Sequence, residues 1–520
     1  MHIVTASQMQ ELDRRTIHEA GVPGKVLMER AGNGVVVTLE EMEGSLDGRT
    51  VTIFCGKGNN GGDGFVVARL LRRKGCKVHV CLLAKPQDLN GDAKAMYRKY
   101  TALGSTARVL TCPSQEKIQK LLGQSDLVVD ALLGTGISSC VKDEYAATIE
   151  TINASGLLTT AVDIPSGIQT DTGTVLGTAI RAKLTVTFGY PKLGLFLGPA
   201  IDHVGEIHQV DIGIPNEYIE GMTIPTTLIT ADEIKGILPS RKPSSHKGTY
   251  GHAGIIAGSP GKTGAAALAA LAALRVGTGL VTIAIPQSVN AHLESKTLET
   301  MTLPMPETSE HTFSLAALPL LQTFAQTHQA VGLGPGLTTH PETMEMVQNL
   351  ISEIQCPCVI DADALNALAK KTDILRNCRS TPILTPHPGE MARLIGNDSA
   401  EHINAHRLTV AQEFAQHHSC ILVLKGARTI VAEPDGQAAI CPTGNPGMAT
   451  AGMGDILTGM IAGLLAQGLP PGLAAKAGVF LHGLAGDLGA HELGQASLIA
   501  SDLLDFIPEA ILTIQQETRE

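Results

Sequence analysis

The sequence lacks the features that are typical of proteins that bind nucleic acids or membranes. Among its 520 residues there is no tryptophan, and aromatic residues make up only 3%. Proteins that bind single-stranded nucleic acid stack its bases on aromatic side chains, and this chain has too few of them to favour that function. The chain has 39 Lys and Arg against 50 Asp and Glu, a net charge of −11, and so has no overall attraction for nucleic acid or an anionic membrane. The longest apolar stretch, 265–274, falls well short of the ~20 residues of a membrane span. We therefore expect no nucleic acid and no membrane among the partners.

The cysteines also lack the spacing of a disulfide or zinc framework. Ten are spread over the whole length, and the one close pair, Cys356 and Cys358, is too tight for the usual zinc spacing. Residues 1–15 contain no apolar segment of the kind found in secretory signals. We therefore expect a reduced, cytoplasmic protein.

What the sequence does contain is a regular alternation of short apolar runs and helical patterns. A hydrophobic share of 43% and a charged share of 17% exclude a disordered chain. Strands are predicted at 50–55, 77–83, 125–133, 158–164, 183–188, 253–257, 279–285, 330–333, 358–361, 382–385 and 420–425. Predicted helices include 65–74, 92–103, 231–238, 263–276, 453–468 and 471–488. Apolar strands that alternate with helices indicate parallel sheets covered on both faces, which is the α/β class.

The alternation pauses at residues 215–227, where Pro, Thr and Gly are typical of a linker. We therefore predict two α/β domains, residues 1–222 and residues 223–520.

The first motif that suggests chemistry is GKGNNGGDG at 56–64, directly after a predicted strand and at the start of a helix. It contains G-x-G-x-x-G, whose loop amides and helix N-terminus can hold a phosphate. An ordinary dinucleotide fold also has an acid at the end of its second strand, but Lys85 stands there instead. A plain strand–helix turn is the alternative. A plain turn does not need the side-chain oxygens of Asn59, Asn60 and Asp63, which are suited to binding a cation or a ribose.

Two further polar segments follow strands in the first half. They are DALLGTGISS at 130–139 and DIPSG at 163–167. A strand-terminal Asp can simply cap a turn. Because the carboxyl ends of parallel strands meet at one edge, where open α/β sheets bind ligands, a shared site is the better interpretation.

The second half carries its own candidate site. The sequence around Gly261 and Lys262 is not a P-loop, because Ile256 stands where that motif requires Gly. GMGD at 452–455 enters a helix with small residues that can expose backbone amides to a transferring phosphate. Asp455 can take a proton from a substrate hydroxyl, although an acid at a helix start also complements the helix dipole. Three more motifs follow strands: DADALN at 361–366, TPHPGE at 385–390 and KGART at 425–429.

Together these motifs resemble a known family. GNNGGDG, the GTG at 134–136, DIPSG and FGYPKLG at 188–194 resemble the NAD(P)H-hydrate epimerase domain, which implies a Rossmann-like doubly wound sheet. GHAGII at 251–256, GLGPGL at 332–337, DADALN, TPHPGE, KGART and GMGD resemble the NAD(P)H-hydrate dehydratase domain, which implies a ribokinase-like fold. Their order and spacing are similar to those of the fused bifunctional NAD(P)H-hydrate repair enzymes.

The resemblance implies a repair reaction on damaged NADH or NADPH that carries a hydroxyl at C6 of the nicotinamide ring. The first domain would interconvert the R and S hydrates, through loss and re-addition of water by way of a ring iminium. The second would dehydrate the S form at the expense of ADP or ATP, with Mg²⁺ on the phosphates and ADP favoured. The resemblance also favours a homo-oligomer, with a tetramer preferred.

The resemblance assigns roles to individual residues. Asp163 would be catalytic in the epimerase and Asp455 in the dehydratase. The epimerase would bind its substrate through Asn59, Asn60, Gly61, Gly62, Asp63, Gly134, Thr135, Gly136, Ile137, Ser138, Ser139, Cys140 and Asp163. The dehydratase would bind the hydrate through Ala253, Gly336, His387 and Asp455, and the nucleotide through Lys425, Gly426, Ala427, Arg428, Thr429 and Gly454. Asn60, Asp130 and Ser166 would hold K⁺. We also expect Lys192 to assist near the epimerase substrate.

Three alternatives remain open at this point. The second half alone is also typical of a ribokinase-like kinase of the hydroxymethylpyrimidine or thiazole type, which would accumulate a phosphorylated product. The first half could be a nucleotide-binding module that only supports the second, although Asp163 beside GNNGGDG argues against that. A plain NAD dehydrogenase is disfavoured by Lys85.

Overall fold

The structure is a computed structural model that describes residues 1–396 and 398–516. These residues form two compact units, His2–Ile224 and Met1 with Pro225–Glu520. The predicted linker at 215–227 is more ordered than expected, because it holds a short helix, Asn216–Glu220, and the start of a strand, Thr226–Leu228. Among the described residues, no helix is both long and apolar enough to cross a membrane.

The first unit is built on a seven-stranded, wholly parallel sheet. Its strands are β1 (Thr50–Cys55), β2 (Lys77–Leu82), β3 (Val109–Thr111), β4 (Leu127–Ala131), β5 (Leu158–Val162), β6 (Leu184–Phe188) and β7 (Glu206–Val210). Their order is β3-β2-β1-β4-β5-β6-β7. The direction of the strand order reverses between β1 and β4, which makes the crevice above these two strands the expected ligand position. The predicted doubly wound α/β sheet is confirmed.

Helices cover both faces of this sheet. They are α1 (Ala6–His18), α2 (Gly24–Glu43), α3 (Asn59–Arg73), α4 (Gly91–Thr101), α5 (Gln115–Leu122), α6 (Asp143–Ser155) and α7 (Asn216–Glu220). Successive residues of β1 point to opposite faces, so Ile53 packs in one apolar cluster and Phe54 in the other. The buried, mostly apolar strands are what a sheet covered on both sides requires.

Helix α3 begins at Asn59 and not at residue 65, so the prediction of its start was wrong. The NNGGDG segment is therefore the first turn and a half of the helix rather than a loop. Glycine is a poor helix former, but close packing requires glycine at two positions in this part of the helix. A Cβ at Gly61 would collide with the carbonyl of Gly56, and one at Gly62 would meet the side chain of Met28.

The second unit is built on a ten-stranded mixed sheet. Its strands are β8 (Thr226–Leu228), β9 (His252–Ile256), β10 (Leu280–Pro286), β11 (Met301–Met305), β12 (Ala330–Leu333), β13 (Cys358–Ile360), β14 (Ile383–Leu384), β15 (Ile421–Leu424), β16 (Ile430–Ala432) and β17 (Ala438–Ile440). Their order is β11-β10-β9-β12-β13-β14-β15-β16-β17-β8. The pairs β15–β16 and β16–β17 are antiparallel and the others are parallel. The parallel strands therefore end at a common edge.

The helices of the second unit complete its layers. They are α8 (Ala231–Ile237), α9 (Thr263–Arg275), α10 (Asn290–Glu294), α11 (Leu318–Thr327), α12 (Pro341–Glu353), α13 (Ala362–Leu368), α14 (Pro388–Ile395), α15 (Ala400–Ala405), α16 (Arg407–His418), α17 (Met453–Ala466), α18 (Pro471–Leu493) and α19 (Ala500–Gln516). The Ala-rich α9 and the apolar α17 pack so closely that a Cβ at Gly459 would collide with the carbonyl of Ala269. This packing fixes the N-terminus of α17, which carries GMGD.

Candidate active sites

The first site is a cavity of about 650 Å³ at the carboxyl edge of the seven-stranded sheet. Most of the residues predicted to bind the epimerase substrate line it: Asn59, Asn60, Asp63, Gly134, Thr135, Gly136, Ile137 and Asp163. Lys192 lines it as well. Ser138, Ser139 and Cys140 are exposed and lie outside the lining, and Gly61 and Gly62 pack behind it. The residues that follow β1, β4 and β5 therefore line one cavity.

A buried ion pair dominates the floor of this cavity. Lys192 donates to the carboxylate of Asp163, and its ammonium also donates to the carbonyl of Phe188 at 2.8 Å. The Lys192 side chain is only 1% exposed, whereas that of Asp163 is 16% exposed. The Phe188 amide donates to the same Asp163 oxygen at 3.1 Å. Asp163 has a left-handed backbone (φ 68°), which is uncommon outside glycine and marks a position held by its surroundings.

Two more carboxyl groups face this cavity. Asp63 comes from α3, and burial, followed by the charges of Asp163 and Asp13, raises its pKa well above its usual value. Burial raises the pKa of Asp13 to about 6, with Lys192 opposing the rise and Asp163 adding to it. Asp13 was missed by the sequence reasoning, because nothing in a helix near the N-terminus signals contact with strand ends far along the chain. With Asp92, the lining of the cavity thus holds four carboxyl groups beside the buried ammonium of Lys192.

Beside the cavity lies a cradle of oxygen atoms. Asp130 accepts the Ser166 amide at 2.8 Å and the Ser166 hydroxyl at 2.6 Å. The Asn60 amide nitrogen donates to the carbonyl of Leu133 at 2.9 Å, which leaves Asn60 Oδ1 buried without a hydrogen-bond partner among the described residues. An unpaired buried oxygen is costly, so this atom fits a cation or a water. Asp130 does not bond the NNGGDG segment directly, because its other partner is the Leu132 amide at 3.2 Å.

The second site lies where β9, β12, β13, β14 and β15 of the second sheet end. Asp361, directly after β13, is its centre. Its carboxylate accepts the Lys425 ammonium at 2.7 Å and the Thr458 hydroxyl at 2.7 Å. Glu390 lies 3.8 Å from the same ammonium. These contacts join three strand ends to helix α17.

Asp455 stands in the first turn of α17, above this network. Gly452 caps the helix with a left-handed backbone (φ 92°), which lets the chain enter the helix sharply. Burial raises the pKa of Asp455 to about 7, and the charge of Asp361 adds to the rise while that of Lys425 opposes it. A carboxyl group that titrates near neutral pH is well matched to proton transfer.

Of the other residues predicted to bind the hydrate, two lie at the carboxyl ends of the strands and one does not. Gly336 follows β12, and its carbonyl accepts the Ser259 hydroxyl at 2.7 Å. His387 follows β14 and caps α14 by accepting the Gly389 amide at 3.0 Å. Ala253, in contrast, lies early in β9 with its side chain fully buried in the core, so the structure does not bring it to this edge.

The KGART segment forms the loop after β15. Lys425 is tied to Asp361, whereas Gly426 and Ala427 are exposed. The Arg428 guanidinium donates to the carbonyl of Pro442, and the Thr429 hydroxyl donates to that of Gly426 at 3.0 Å. Gly454, on α17, faces the Lys425 ammonium. Lys425 and Gly454 therefore belong to one network, and the rest of the loop extends from it.

Several residues of the second site were not singled out by sequence reasoning. Thr458 gives no signal, because a threonine inside an apolar helix is ordinary. Asp361 and Glu390 lie in motifs noted at strand ends, and the strand-end rule could have identified both. Arg407 packs on the KGART loop, where its guanidinium leaves no room for a Cβ at Gly426 and donates to the carbonyl of Leu424 at 3.0 Å.

Comparison with known proteins gives two family matches. Residues 253–509 match the family described as NAD(P)H-hydrate dehydratase, and residues 24–194 match the family described as YjeF-related protein N-terminus.

Relatives that match across both units were also found. The chain is 47% identical over 520 residues to a protein from Moorella thermoacetica named bifunctional NAD(P)H-hydrate repair enzyme Nnr, covering 99% of this chain and 98% of the relative. It is 35% identical over 467 residues to a protein of the same name from Escherichia coli, covering 89% of this chain and 85% of the relative. Among solved structures, an ADP/ATP-dependent NAD(P)H-hydrate dehydratase from Bacillus subtilis, co-crystallised with ATP and Mg²⁺, is 32% identical with a TM-score of 0.47. That match covers 55% of this chain and 98% of the other.

Proposed function

Because the chain belongs to the family of bifunctional NAD(P)H-hydrate repair enzymes, we propose that residues 1–222 carry the epimerase and residues 223–520 the dehydratase. The enzyme epimerises hydrated NADH or NADPH and dehydrates the S form in a nucleotide-dependent reaction. The observation that carries the division is that each unit has its own cluster of carboxyl groups and a buried lysine at a sheet edge, one around Asp163 and one around Asp455. Family matches in both halves support it.

In the epimerase, we assign Asp163 as the group that interacts with the reacting C6 centre. Lys192 fixes the position of Asp163, because its buried ammonium donates both to the Asp163 carboxylate and to the carbonyl of Phe188. Loss of water leaves a positive charge on the nicotinamide ring, and the Asp163 carboxylate stabilises that charge. Re-addition of water to either face then scrambles the centre. The substrate-binding assignments to Asn59–Asp63 and to residues 134–140 rest on the family pattern. The cavity lining supports Asn59, Asn60, Asp63 and residues 134–137 among them.

In the dehydratase, we assign Asp455 as the general base. It takes the proton of the C6 hydroxyl, whose oxygen then attacks the terminal phosphoryl group of the nucleotide. The C6–O bond breaks with its electron pair on the phosphate, and the lone pair of the ring nitrogen forms a C=N bond. Loss of a proton from C5 to water then forms the C5=C6 bond, returns the lone pair to nitrogen and restores the dihydropyridine. The amides at the start of α17 face the developing charge, and Lys425 lies beside them. Gly336 and His387 would contact the hydrate, and Gly426–Thr429 the nucleotide.

Mg²⁺ is proposed to arrive with the nucleotide. The described residues contain no group of three or more His, Cys, Asp or Glu side chains placed to hold a metal ion. Mg²⁺ commonly binds through one or two carboxylates and the substrate phosphates, which fits Asp361 and Glu390. When bound, it would neutralise phosphate charge. We propose ADP and ATP as alternative phosphoryl donors, with ADP preferred.

The oxygen cradle of the first unit is proposed to hold K⁺. Asn60, Asp130 and Ser166 offer an amide oxygen, one carboxylate and a hydroxyl, and the unpaired Asn60 Oδ1 supports an occupant there. One carboxylate is too little charge for a typical Ca²⁺ site, and the absence of imidazole and thiolate ligands disfavours zinc. The ion would hold the start of α3 against the loops after β4 and β5.

Exchange of the monovalent cation tests the K⁺ site. We expect crystals grown in Rb⁺ to show a strong peak between Asn60 and Ser166, with oxygen neighbours at distances longer than the ~2.1 Å of Mg²⁺. Epimerisation should fall when K⁺ is replaced by Na⁺, while dehydration of the S hydrate stays constant. Water density at this position that is the same in K⁺ and in Rb⁺ contradicts the site.

We also propose a cytoplasmic homo-oligomer, most simply a tetramer, on the strength of the family resemblance. Analytical ultracentrifugation of the full chain tests the assembly.

One assay tests the bifunctional assignment as a whole. A mixture of R and S hydrates is incubated with the full chain and ADP or ATP, and recovered NAD(P)H is followed by its near-ultraviolet absorbance. Two working sites predict recovery well beyond the S fraction. Recovery that stops at the S fraction would remove the epimerase from the proposal.

A further inference from the structure

Asp13 is a carboxyl group that the mechanism above leaves unused, although it faces the epimerase cavity. Helix α1 buries Met9, Leu12 and Thr16 against the unit, and its Gln10, Asp13 and neighbouring side chains line the chamber that also contains Asp163. Within residues 1–396 and 398–516, no hydrogen bond or ion pair engages the Asp13 carboxyl, which is influenced only by burial and by the charges of Lys192 and Asp163. An ionisable group in a cavity wall with no structural partner is available to a ligand.

The charges around Asp13 oppose its ionisation. Asp63 from α3 and Asp163 after β5 face the same chamber, and the one buried cation, Lys192, already serves Asp163. The remaining titratable groups of the lining are Lys57, Asp92 and Tyr145. Three carboxylates around one ammonium cannot all be charged at low cost. Burial accordingly raises the pKa of Asp13 to about 6, so a fraction of the protein carries Asp13 as a neutral acid at neutral pH.

We propose that Asp13 is a second catalytic residue of the epimerase, the acid that protonates the departing C6 hydroxyl and the base that takes the proton back when water returns. The C6–O bond breaks with its electron pair on oxygen, which takes the proton of Asp13 and leaves as water. The lone pair of the ring nitrogen forms the C=N bond, and Asp13 becomes a carboxylate. In the reverse step, the oxygen of water bonds to C6, its proton passes to Asp13, and the ring nitrogen regains its lone pair.

This assignment gives two roles to two different carboxyl groups: stabilisation of the ring cation and exchange of a proton with the departing hydroxyl. A single carboxyl group performs both poorly. Asp163 is held by the Lys192 ammonium and the Phe188 amide, and this fixed position suits stabilisation of the cationic ring. Asp13 is unpaired and can exchange its proton. Two carboxyl groups whose surroundings drive them apart in protonation are a recurrent acid and charge-stabilising pair. Asp63 is a poorer candidate for the exchanging group, because it is more deeply buried than Asp13 and burial raises its pKa well above the usual value.

The test uses three variants of the full chain. Asp13→Asn removes the exchangeable proton but keeps the shape, and Asp13→Glu restores a carboxyl group. Glu11→Gln is the matched control, because Glu11 lies on the same helix, is exposed and pairs with Arg14. Epimerisation is measured in the absence of nucleotide, and chromatography monitors the conversion of pure R-NADHX to the S form. Dehydration of the S form with ADP or ATP reports the intact second unit, and the thermal midpoint reports folding.

We expect Asp13→Asn to slow epimerisation by about 10²–10⁴-fold, and Asp13→Glu to recover at least part of the loss. The wild type should lose activity as the pH rises above about 6, because the acid must be protonated, and Asp13→Asn should lack that decline. Epimerisation by Asp13→Asn close to the wild-type rate overturns the proposal. Equal loss in Asp13→Glu, with an unchanged thermal midpoint, also overturns it. The proposal rests on the epimerase assignment, and a wild type that does not interconvert R and S would defeat that assignment instead.

Discussion

At the scale of single residues, each unit places a lysine against an aspartate at the end of a parallel strand. Lys192 holds Asp163 in the first unit, and Lys425 holds Asp361 in the second. Breaking such a buried pair leaves an uncompensated charge and typically costs about 3–5 kcal/mol. These pairs fix the local geometry. The acids that exchange protons, Asp13 and Asp455, stand beside them, and neither has a hydrogen-bonded cation among the described residues.

We predict that Asp455→Asn abolishes dehydration and leaves epimerisation unchanged. The amide keeps the shape of the side chain but cannot take the hydroxyl proton, and general bases contribute about 10²–10⁴-fold. Dehydration of pure S hydrate and R-to-S conversion are measured separately. Asp505→Asn, at an exposed ion pair with Arg275, is the control and should behave as wild type. Near-normal NADH recovery by Asp455→Asn would show that another group is the base.

The pH dependence of dehydration should report the same carboxyl. The base must be ionised to act, and burial beside Asp361 raises the pKa of Asp455 to about 7. We therefore expect kcat/KM for the S hydrate to rise with pH up to about 7 and then to level off. Measurements with saturating nucleotide separate this effect from nucleotide binding. A profile that is already flat from pH ~5 upwards, near the usual range of a carboxyl, contradicts the role.

Sequence reasoning identified residues at strand ends far better than residues on helices. Asp163, Asp130 and Asp455 follow local patterns, because a strand or a glycine-rich turn precedes each of them. Asp13 and Thr458 could not be found in this way, because only the packing of their helices onto distant strand ends brings them to the sites.

At the scale of elements, glycines decide how closely helices approach the sheets and one another. The start of α3 was misplaced because helix propensity disfavours NNGGDG, whereas tight contacts at Gly61 and Gly62 override propensity. Six strands were missed: β3, β7, β8, β11, β16 and β17. The three-residue strands β3, β8, β16 and β17 give almost no periodic signal. The five-residue strands β7 and β11 lie at sheet edges and are mostly not buried, so they lack an apolar run. The long buried strands and the apolar helices were predicted because burial on both faces leaves a clear apolar run.

We predict that Gly459→Ala destabilises the second unit by about 1–3 kcal/mol, because the added methyl group must push α17 away from the backbone of α9. Gly236→Ala is the matched control. Gly236 is an exposed helical glycine with no atom near its Cβ position, so the change should be neutral or stabilise by up to about 1 kcal/mol. Urea unfolding measures both. Equal stability of the two variants would mean that α9 and α17 are not closely packed.

At the scale of the whole molecule, two units that each carry their own cluster of acidic and lysine side chains predict separable activities. The family model matches fall within one unit each, at 24–194 and 253–509. The expected membership of the bifunctional NAD(P)H-hydrate repair family is confirmed by relatives that span both units. The sequence predicted this because motifs from both domains occur in the family order.

We predict that two singly impaired full-length chains restore repair when they are mixed. Asp163→Asn should lack epimerisation, Asp455→Asn should lack dehydration, and the hydrate can diffuse from one chain to the other. Mixed chains supplied with R hydrate and nucleotide should therefore produce NADH much faster than either variant alone. The same total amount of each variant by itself is the control. Failure of the mixture would indicate that both steps require one intact chain.

The most direct measurement of the central claim follows all products when the wild-type chain acts on pure R-NADHX with ADP and Mg²⁺. The account predicts that NADH, AMP and inorganic phosphate appear in equal amounts and that no phosphorylated form of the hydrate accumulates. Accumulation of an organic phosphate without NADH would identify a small-molecule kinase and contradict the account.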